Sequence, residues 1–193
     1  SYNTTKGISG QLFSIPLRDV RVLWGTPTYV YTTPTATAVG FIYKIEGSGL
    51  TYVTGGGYGL MGLSYTNGIV VSKIEGNEVD SFTVPTKGES MSFPISLIPE
   101  KCVYQRETFF CATPNTSIDT RTFPDNWYKG VISYSDILWS IDTTTGDASV
   151  LTNLLSESGR EVDVSKIGID DVGKRIYFVN KNDNTLWMFD MTL

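Results

Sequence analysis

The chain of 193 residues contains no histidine. Without an imidazole there is no Ser–His or Cys–His nucleophile pair, and the commonest zinc ligand is missing. Cysteine is almost as scarce, with only Cys102 and Cys111. Charge is thin as well: 15 Lys and Arg stand against 20 Asp and Glu, spread without blocks. No basic face exists for a phosphate backbone or an anionic lipid, so no nucleic-acid partner is expected. No apolar run reaches the roughly 18 residues that a membrane-spanning helix needs. No signal peptide is present, and the chain opens on Ser1 rather than Met. It therefore reads as a mature or trimmed product, with any export signal or membrane anchor upstream of Ser1. Nor does an apolar period of 3.6 persist for three turns, and Thr152 to Glu157 offers one helical turn at most.

What remains is the vocabulary of strands and turns. Hydrophobic residues make up 40% and aromatics 12%, which places the chain among globular proteins, and Tyr, Thr, Val, Ile and Gly dominate. The C-terminal stretch sets the pattern. Ile167 and Ile169 lead into a polar turn at 170–174, then Arg175 to Val179, a second turn at 181–184, and Leu186 to Phe189 closed by Asp190. Three short strands and two tight turns predict an antiparallel meander.

Related units recur upstream. One runs from Asp19 through 20–24, 28–32 and 41–45 to Glu46; the next covers 60–65, the Asn67-Gly68 turn, 69–74 and 79–84. The third comprises 102–105, 108–112, a long interruption, and 137–141 closed by Asp142. The ends Glu46, Val84, Asp142 and Asp190 lie 38, 58 and 48 residues apart. Without the insertion at 113–130 the middle spacing falls to about 40, a propeller-blade length. A glycine turn and a fourth strand follow each of the first three ends, at 49–53, 88–93 and 146–151. Four strands per unit make a blade. The second unit fits worst, since its third strand lacks the terminal acid.

The fold expected is therefore all-β and β-propeller-like. About four four-stranded antiparallel blades fall at 19–54, 59–94, 101–152 (insertion 113–130) and 164–193, within a single domain over 1–193. Residues 11–15 are a candidate closing strand for the last blade. Either that strand completes a small propeller, or the chain is the C-terminal part of a larger one, which would self-associate through its open ends.

Reflection about Arg106 and Glu107 pairs Cys102 with Cys111 at a non-hydrogen-bonded site, where neighbouring side chains come closest. A disulfide is geometrically natural there, and it would indicate an oxidising compartment. Two buried free thiols are the alternative. The insertion ends in Phe123, Pro124, Asp125, Asn126, Trp127 and Tyr128. Its aromatics Phe123, Trp127 and Tyr128 are the candidate ligand-binding residues: either they form a platform for sugars or peptides, or they fold back over the blade's apolar edge. The remaining tryptophans, Trp24, Trp139 and Trp187, are expected in the core between blades. Asn180 to Asn184 has oxygen side chains at calcium-loop positions 1, 3 and 5 but lacks the glycine and distal acid, so it reads as a polar turn. No metal or cofactor is expected, and no spacing of carboxylates singles out a catalytic pair.

The strand patterns Gly173-Lys-Arg-Ile-Tyr-Phe-Val179 and Leu186-Trp-Met-Phe-Asp190 resemble the WD40-like PD40 blade of TolB-type propellers. The match is close in the strands and loose in the turn Ile169 to Gly173. Nearly the whole chain, through Pro16 to Asp19, Ile98 to Val103, Phe110 to Ala112, Phe123 to Gly130 and Ser133 to Asp142, is similar to uncharacterised propeller-like proteins of candidate-phylum bacteria. That resemblance implies a membrane anchor upstream and surface exposure, and no activity. The expected function is a non-catalytic, surface-exposed binding or scaffolding module for a protein or glycan ligand. The alternative is a glycan-binding or glycan-processing domain built on the insertion aromatics.

Overall fold

The computed structural model describes residues 14–15 and 17–192, together with the backbone of Tyr2–Asn3 and Ile8–Ser9. The two short N-terminal strands β1 (Tyr2–Asn3) and β2 (Ile8–Ser9) pair with each other in antiparallel fashion. Of the expected closing strand at 11–15, residues 11–13 lie outside the described residues, and Ser14 and Ile15 carry no strand. Among the described residues the architecture is all-β and antiparallel throughout, and the sheets are not closed into a ring.

The largest sheet has six strands in sequence order: β3 (Val20–Leu23), β4 (Tyr29–Thr32), β5 (Gly40–Glu46), β6 (Gly49–Tyr65), β7 (Gly68–Glu75) and β8 (Glu78–Pro85). The sequence suggests a blade boundary between 54 and 59. Instead, β6 is one strand of 17 residues. Its first half pairs with β5 and its second with β7. The glycines that suggest a break in the sequence act as a bend. Gly56 and Gly59 adopt φ of +89° and +59°, a region that residues with a Cβ rarely enter. A Cβ on Gly40 would lie 2.6 Å from the Leu60 Cβ, so the two limbs approach too closely for any side chain there. The sheet folds over itself as a half-barrel, enclosing Leu23, Tyr29, Tyr31 and Ile42 of one limb against Leu60, Ile69 and Val71 of the other.

The expected fourth strand at 88–93 is reduced to a single bridge between Phe82 and Ser92, flanked by backbone bonds Thr83 N to Met91 O and Phe93 N to Ser81 O. The Asn67-Gly68 turn is displaced by one residue. Thr66 and Asn67 form the bend, and Gly68 pairs with both Tyr65 and Pro85, where a Cβ would meet the Val84 carbonyl at 2.3 Å.

The next sheet follows the sequence pattern closely. β9 (Cys102–Gln105), β10 (Thr108–Pro114), β11 (Asp136–Asp142) and β12 (Ala148–Asn153) form a four-stranded meander. Arg106 and Glu107 both take positive φ, 48° and 64°, the two-residue hairpin turn that matches strand twist. Cys102 opposes Cys111 in that hairpin, and the two are joined by a disulfide. The last sheet is a three-stranded meander of β13 (Val164–Ile169), β14 (Arg175–Asn180) and β15 (Leu186–Asp190). Among the described residues helix is confined to two single turns, α1 (Asp125–Tyr128) and α2 (Leu154–Ser158), the latter capped by the Asn153 side chain on the Leu155 and Ser156 amides, and to a 3-10 turn at Pro99–Lys101.

Consecutive sheets are joined by apolar faces. Val70, Phe93 and Leu97 meet Cys102, Phe109, Cys111 and Ile141 between the half-barrel and the third sheet. Ala112, Leu138 and Leu154 meet Val164, Ile176 and Phe178 between the third sheet and the fourth. Each buried aliphatic or aromatic side chain adds roughly 1.5–3 kcal/mol. Trp139 and Trp187 pack at the edges of these layers. Trp24 does not: it is 80% exposed, because β3 ends at Leu23, which takes the last inward-facing position.

Candidate functional site

The insertion supplies the centre of the molecule. Phe123 and Trp127 are 1% and 3% exposed, so they offer no platform to solvent, and Tyr128 is half-buried. They fold back, as the sequence allows, with Met61, Val79, Ile98 and Tyr134 around them. The short helix α1 reaches both the half-barrel and the fourth sheet. Asp125 accepts hydrogen bonds from the Thr35 hydroxyl at 2.9 Å and the Ala36 amide at 2.6 Å, on the β4–β5 connection. Tyr128 lies under the Arg21 guanidinium of β3, 4.7 Å from the ring centroid. On the other side Trp127 Nε1 donates to Asp163, just before β13, and the Lys181 ammonium donates to the Trp127 carbonyl.

The 3-10 turn explains how charges enter so apolar a region. Adjacent residues Glu100 and Lys101 are delivered to adjacent aromatics. Glu100 accepts from Tyr128 Oη at 2.6 Å and from the Arg21 guanidinium. Burial pushes its carboxyl above the usual range, against the opposing pull of the Tyr128 hydrogen bond and Arg21. Burial likewise raises the Tyr128 phenol, and the Tyr31 phenol is pushed up to about 12.

Lys101 is fully buried. Its Nζ donates to both oxygens of Asp136, at 2.8 and 3.0 Å, and to Asp163 Oδ1 at 2.5 Å. Both carboxylates are also fully buried. Asp136 Oδ2 accepts from the Val164 amide at 2.7 Å, while Asp163 accepts from Trp127 Nε1 at 2.9 and 3.1 Å. Burial drives the Asp136 carboxyl upward even though Lys101 pulls the other way. The Lys101 ammonium lies 5.1 Å from the Trp127 ring centroid and 5.3 Å from that of Tyr134. None of these three charges stands out from composition. Each opens a strand or sits beside one, in Lys101-Cys102, Asp136-Ile137 and Val162-Asp163-Val164; a lone charge bordering an apolar run is the only signal the sequence holds.

The same insertion also forms one wall of a surface cleft of about 470 Å³ between the half-barrel and the third sheet. Asn77 and Glu78 of the β7–β8 turn and Ser96 face Asn115, Thr116 and Ser117 across a floor that includes Trp139. The indole is pinned by its Nε1 hydrogen bond to the Thr113 hydroxyl at 2.9 Å. The groove continues past Glu75 and Asp80 into a second hollow of about 330 Å³. Glu75 is held below the usual carboxylate range by its hydrogen bond to Lys73.

Elsewhere the oxygen side chains of the candidate polar turns are taken up by backbone amides. Asn180 is buried, and its side-chain oxygen accepts from the Asn182 amide within its own turn and from the Asp163 amide just before β13. Asp170 accepts from the Lys174 amide at 2.7 Å. Among the described residues no helix is long and apolar enough to cross a membrane. The Cys102–Cys111 disulfide fits a compartment that is not reducing. No protein-family model matches the chain, and a search of curated proteins finds no match.

Proposed function

We propose that this chain is a non-catalytic binding module that takes its ligand in the cleft between the half-barrel and the third sheet. The observation that carries the reading is the composition of that cleft. Amides and hydroxyls from Asn77, Ser96, Thr113, Asn115, Thr116 and Ser117 converge around one indole, and Glu78 is its single ionisable group. Neutral hydrogen-bonding groups around an aromatic floor suit recognition of an uncharged polar ligand. Proton transfer needs an acid and a base tuned toward neutral pH. The nearest further carboxylate on the groove, Glu75, is shifted in the opposite direction by Lys73.

The same cleft favours a glycan as the ligand, because the indole of Trp139 can stack on a sugar face while the amides and hydroxyls bond its rim. That reading moves the glycan site from Phe123, Trp127 and Tyr128 to the other end of the insertion. The test is a glycan array followed by calorimetric titration of any hit. Asn115→Ala and Glu78→Ala are expected to weaken binding at least about tenfold, which is roughly 1.4 kcal/mol. Both residues are exposed, so the melting temperature should stay within a degree or two. Binding that survives both substitutions places the ligand elsewhere, and an array without hits removes the glycan reading.

A propeller-like array is the architecture this reading implies. Its support is that four sheets, counting the two limbs of the half-barrel separately, stack face to face in chain order. Such an array belongs on a cell surface or outside the cell, as the disulfide suggests. The resemblance to TolB-type blades and to bacterial propeller-like surface proteins points the same way. Its open ends imply self-association.

A further inference from the structure

At the centre of the fold one ammonium faces two carboxylates, all fully buried. With all three ionised, an uncompensated negative charge would be held away from water, which costs several kcal/mol. A further cation, Lys181, lies 5.1 Å from the Trp127 ring centroid and donates to the Trp127 carbonyl, and its attraction to Asp163 offsets only part of that charge. Burial favours the protonated form of the Asp136 carboxyl, which then meets the Lys101 amine group beside the Asp163 carboxyl group. Transfer of a single proton within that set produces a neutral amine between two carboxylic acids. Those are the reactants of amide formation.

We propose that Lys101 and Asp136 form an intramolecular isopeptide bond, with Asp163 as the proton carrier. Three features assign the roles. Lys101 Nζ is within 3.0 Å of both Asp136 oxygens, at the open edge of the carboxyl group, so that rotation of that group turns its carbon toward the nitrogen. The Val164 amide donates to Asp136 Oδ2 at 2.7 Å, where an oxyanion would develop. Asp163 touches the same nitrogen, and Trp127 Nε1 fixes its carboxyl group from another direction.

The bond forms between Lys101 Nζ and Asp136 Cγ. Asp163 accepts a proton from the nitrogen through one oxygen and gives one to the departing Asp136 hydroxyl from the other. The Cγ–O bond breaks and one water leaves. Amine and carboxylic acid become amide and water, Asp163 keeps the proton it first took from the ammonium, and no oxidant or cofactor is needed. Fixed contact of the reacting groups supplies an effective concentration on the order of 10⁵ M or more. Phe123, Trp127 and Tyr134 exclude the water that would reverse the reaction. The raised Asp136 carboxyl is consistent with the neutral acid this step requires.

The test is intact mass spectrometry of the full chain after reduction of the disulfide, with peptide mapping. The expected mass is one water below that of the sequence, with a branched peptide joining Lys101 to Asp136. Lys101→Met removes the deficit. Asp136→Asn changes it from one water to one ammonia, because the leaving group changes while the shape does not. Asp163→Asn retains an acceptor for Trp127 and slows bond formation about a hundredfold, the low end for a positioned proton carrier. An unmodified mass for the folded wild-type chain overturns the proposal. So does a deficit that persists in Lys101→Met, or a branch that maps to Asp163. Should Lys101→Met fail to fold, the wild-type mass and peptide map decide the matter alone.

Discussion

The ring, the indole N–H and the carbonyl of Trp127 are each held by a charged side chain. The Lys101 and Lys181 ammonium groups each lie 5.1 Å from its ring centroid, Asp163 takes its indole N–H, and Lys181 takes its carbonyl. Removing the side chain therefore does more than open a cavity. Trp127→Ala should destabilise the protein by about 3–5 kcal/mol, as large aromatic truncations in cores do. Trp127→Phe keeps most of the volume but leaves the buried Asp163 carboxylate short of a donor, for a loss of about 1–3 kcal/mol. Trp24→Ala, on a side chain 80% exposed, should stay within about 0.5 kcal/mol. Urea unfolding at constant slope measures all three, and equal midpoints for Trp127→Ala and Trp24→Ala would contradict the role assigned to the insertion. Aromatic residues on a long connection are visible in the sequence, but whether they face solvent is not. That depends on Lys101, Asp136 and Asp163, whose meeting involves residues separated by 35 and 62 positions.

At the scale of the element, β6 carries the half-barrel. A strand of 17 residues would be stiff and nearly straight, yet this one serves two limbs that face each other. Its bend draws on Gly55, Gly56, Gly57 and Gly59, and on Gly40 across from Leu60. Gly40→Ala places a methyl group 2.6 Å from the Leu60 Cβ, so backbone must shift. The expected loss is about 1–3 kcal/mol, the range for overpacking. Gly49→Ala, whose nearest neighbour would be the Glu46 carbonyl at 3.9 Å, is a matched control and should be nearly neutral. Comparison of thermal midpoints checks the pair; equal midpoints would show that the limbs are not held at the spacing described. Alternation and turn residues announce the strands of the third and fourth sheets, since all but the β10–β11 pair are joined by short local connections. They misplace the boundary inside β6, because a run of glycines reads equally well as a loop or as a bend within a paired strand, and only the partners on either side decide.

For the whole molecule, strand content, antiparallel order and the Cys102–Cys111 pair follow from local pattern, whereas the folding of one limb onto another depends on long-range packing that no window of residues contains. The stack leaves apolar surface at its far end. Tyr177, Leu186 and Met188 on the outer side of the fourth sheet are 36%, 74% and 51% exposed, and Tyr177 pairs with Met188 across the β14–β15 ladder. Light scattering over a concentration series should detect reversible association, and Met188→Lys should shift it at least about tenfold to higher concentration by placing a charge on that face. A monomer at every concentration, with and without the substitution, would show that this face is not sticky.

The position of α1 has a bearing on how the chain is made. In a stack where each sheet touches only its neighbours, the first layers can settle while later ones are still being translated. Here Arg21, Thr35, Lys101, Asp163 and Lys181 all converge on a single turn of helix at Asp125–Tyr128. The keystone is made before Asp163 and Lys181, two of the residues that lock it, so the layers ahead of it cannot be fully secured until the fourth sheet has followed.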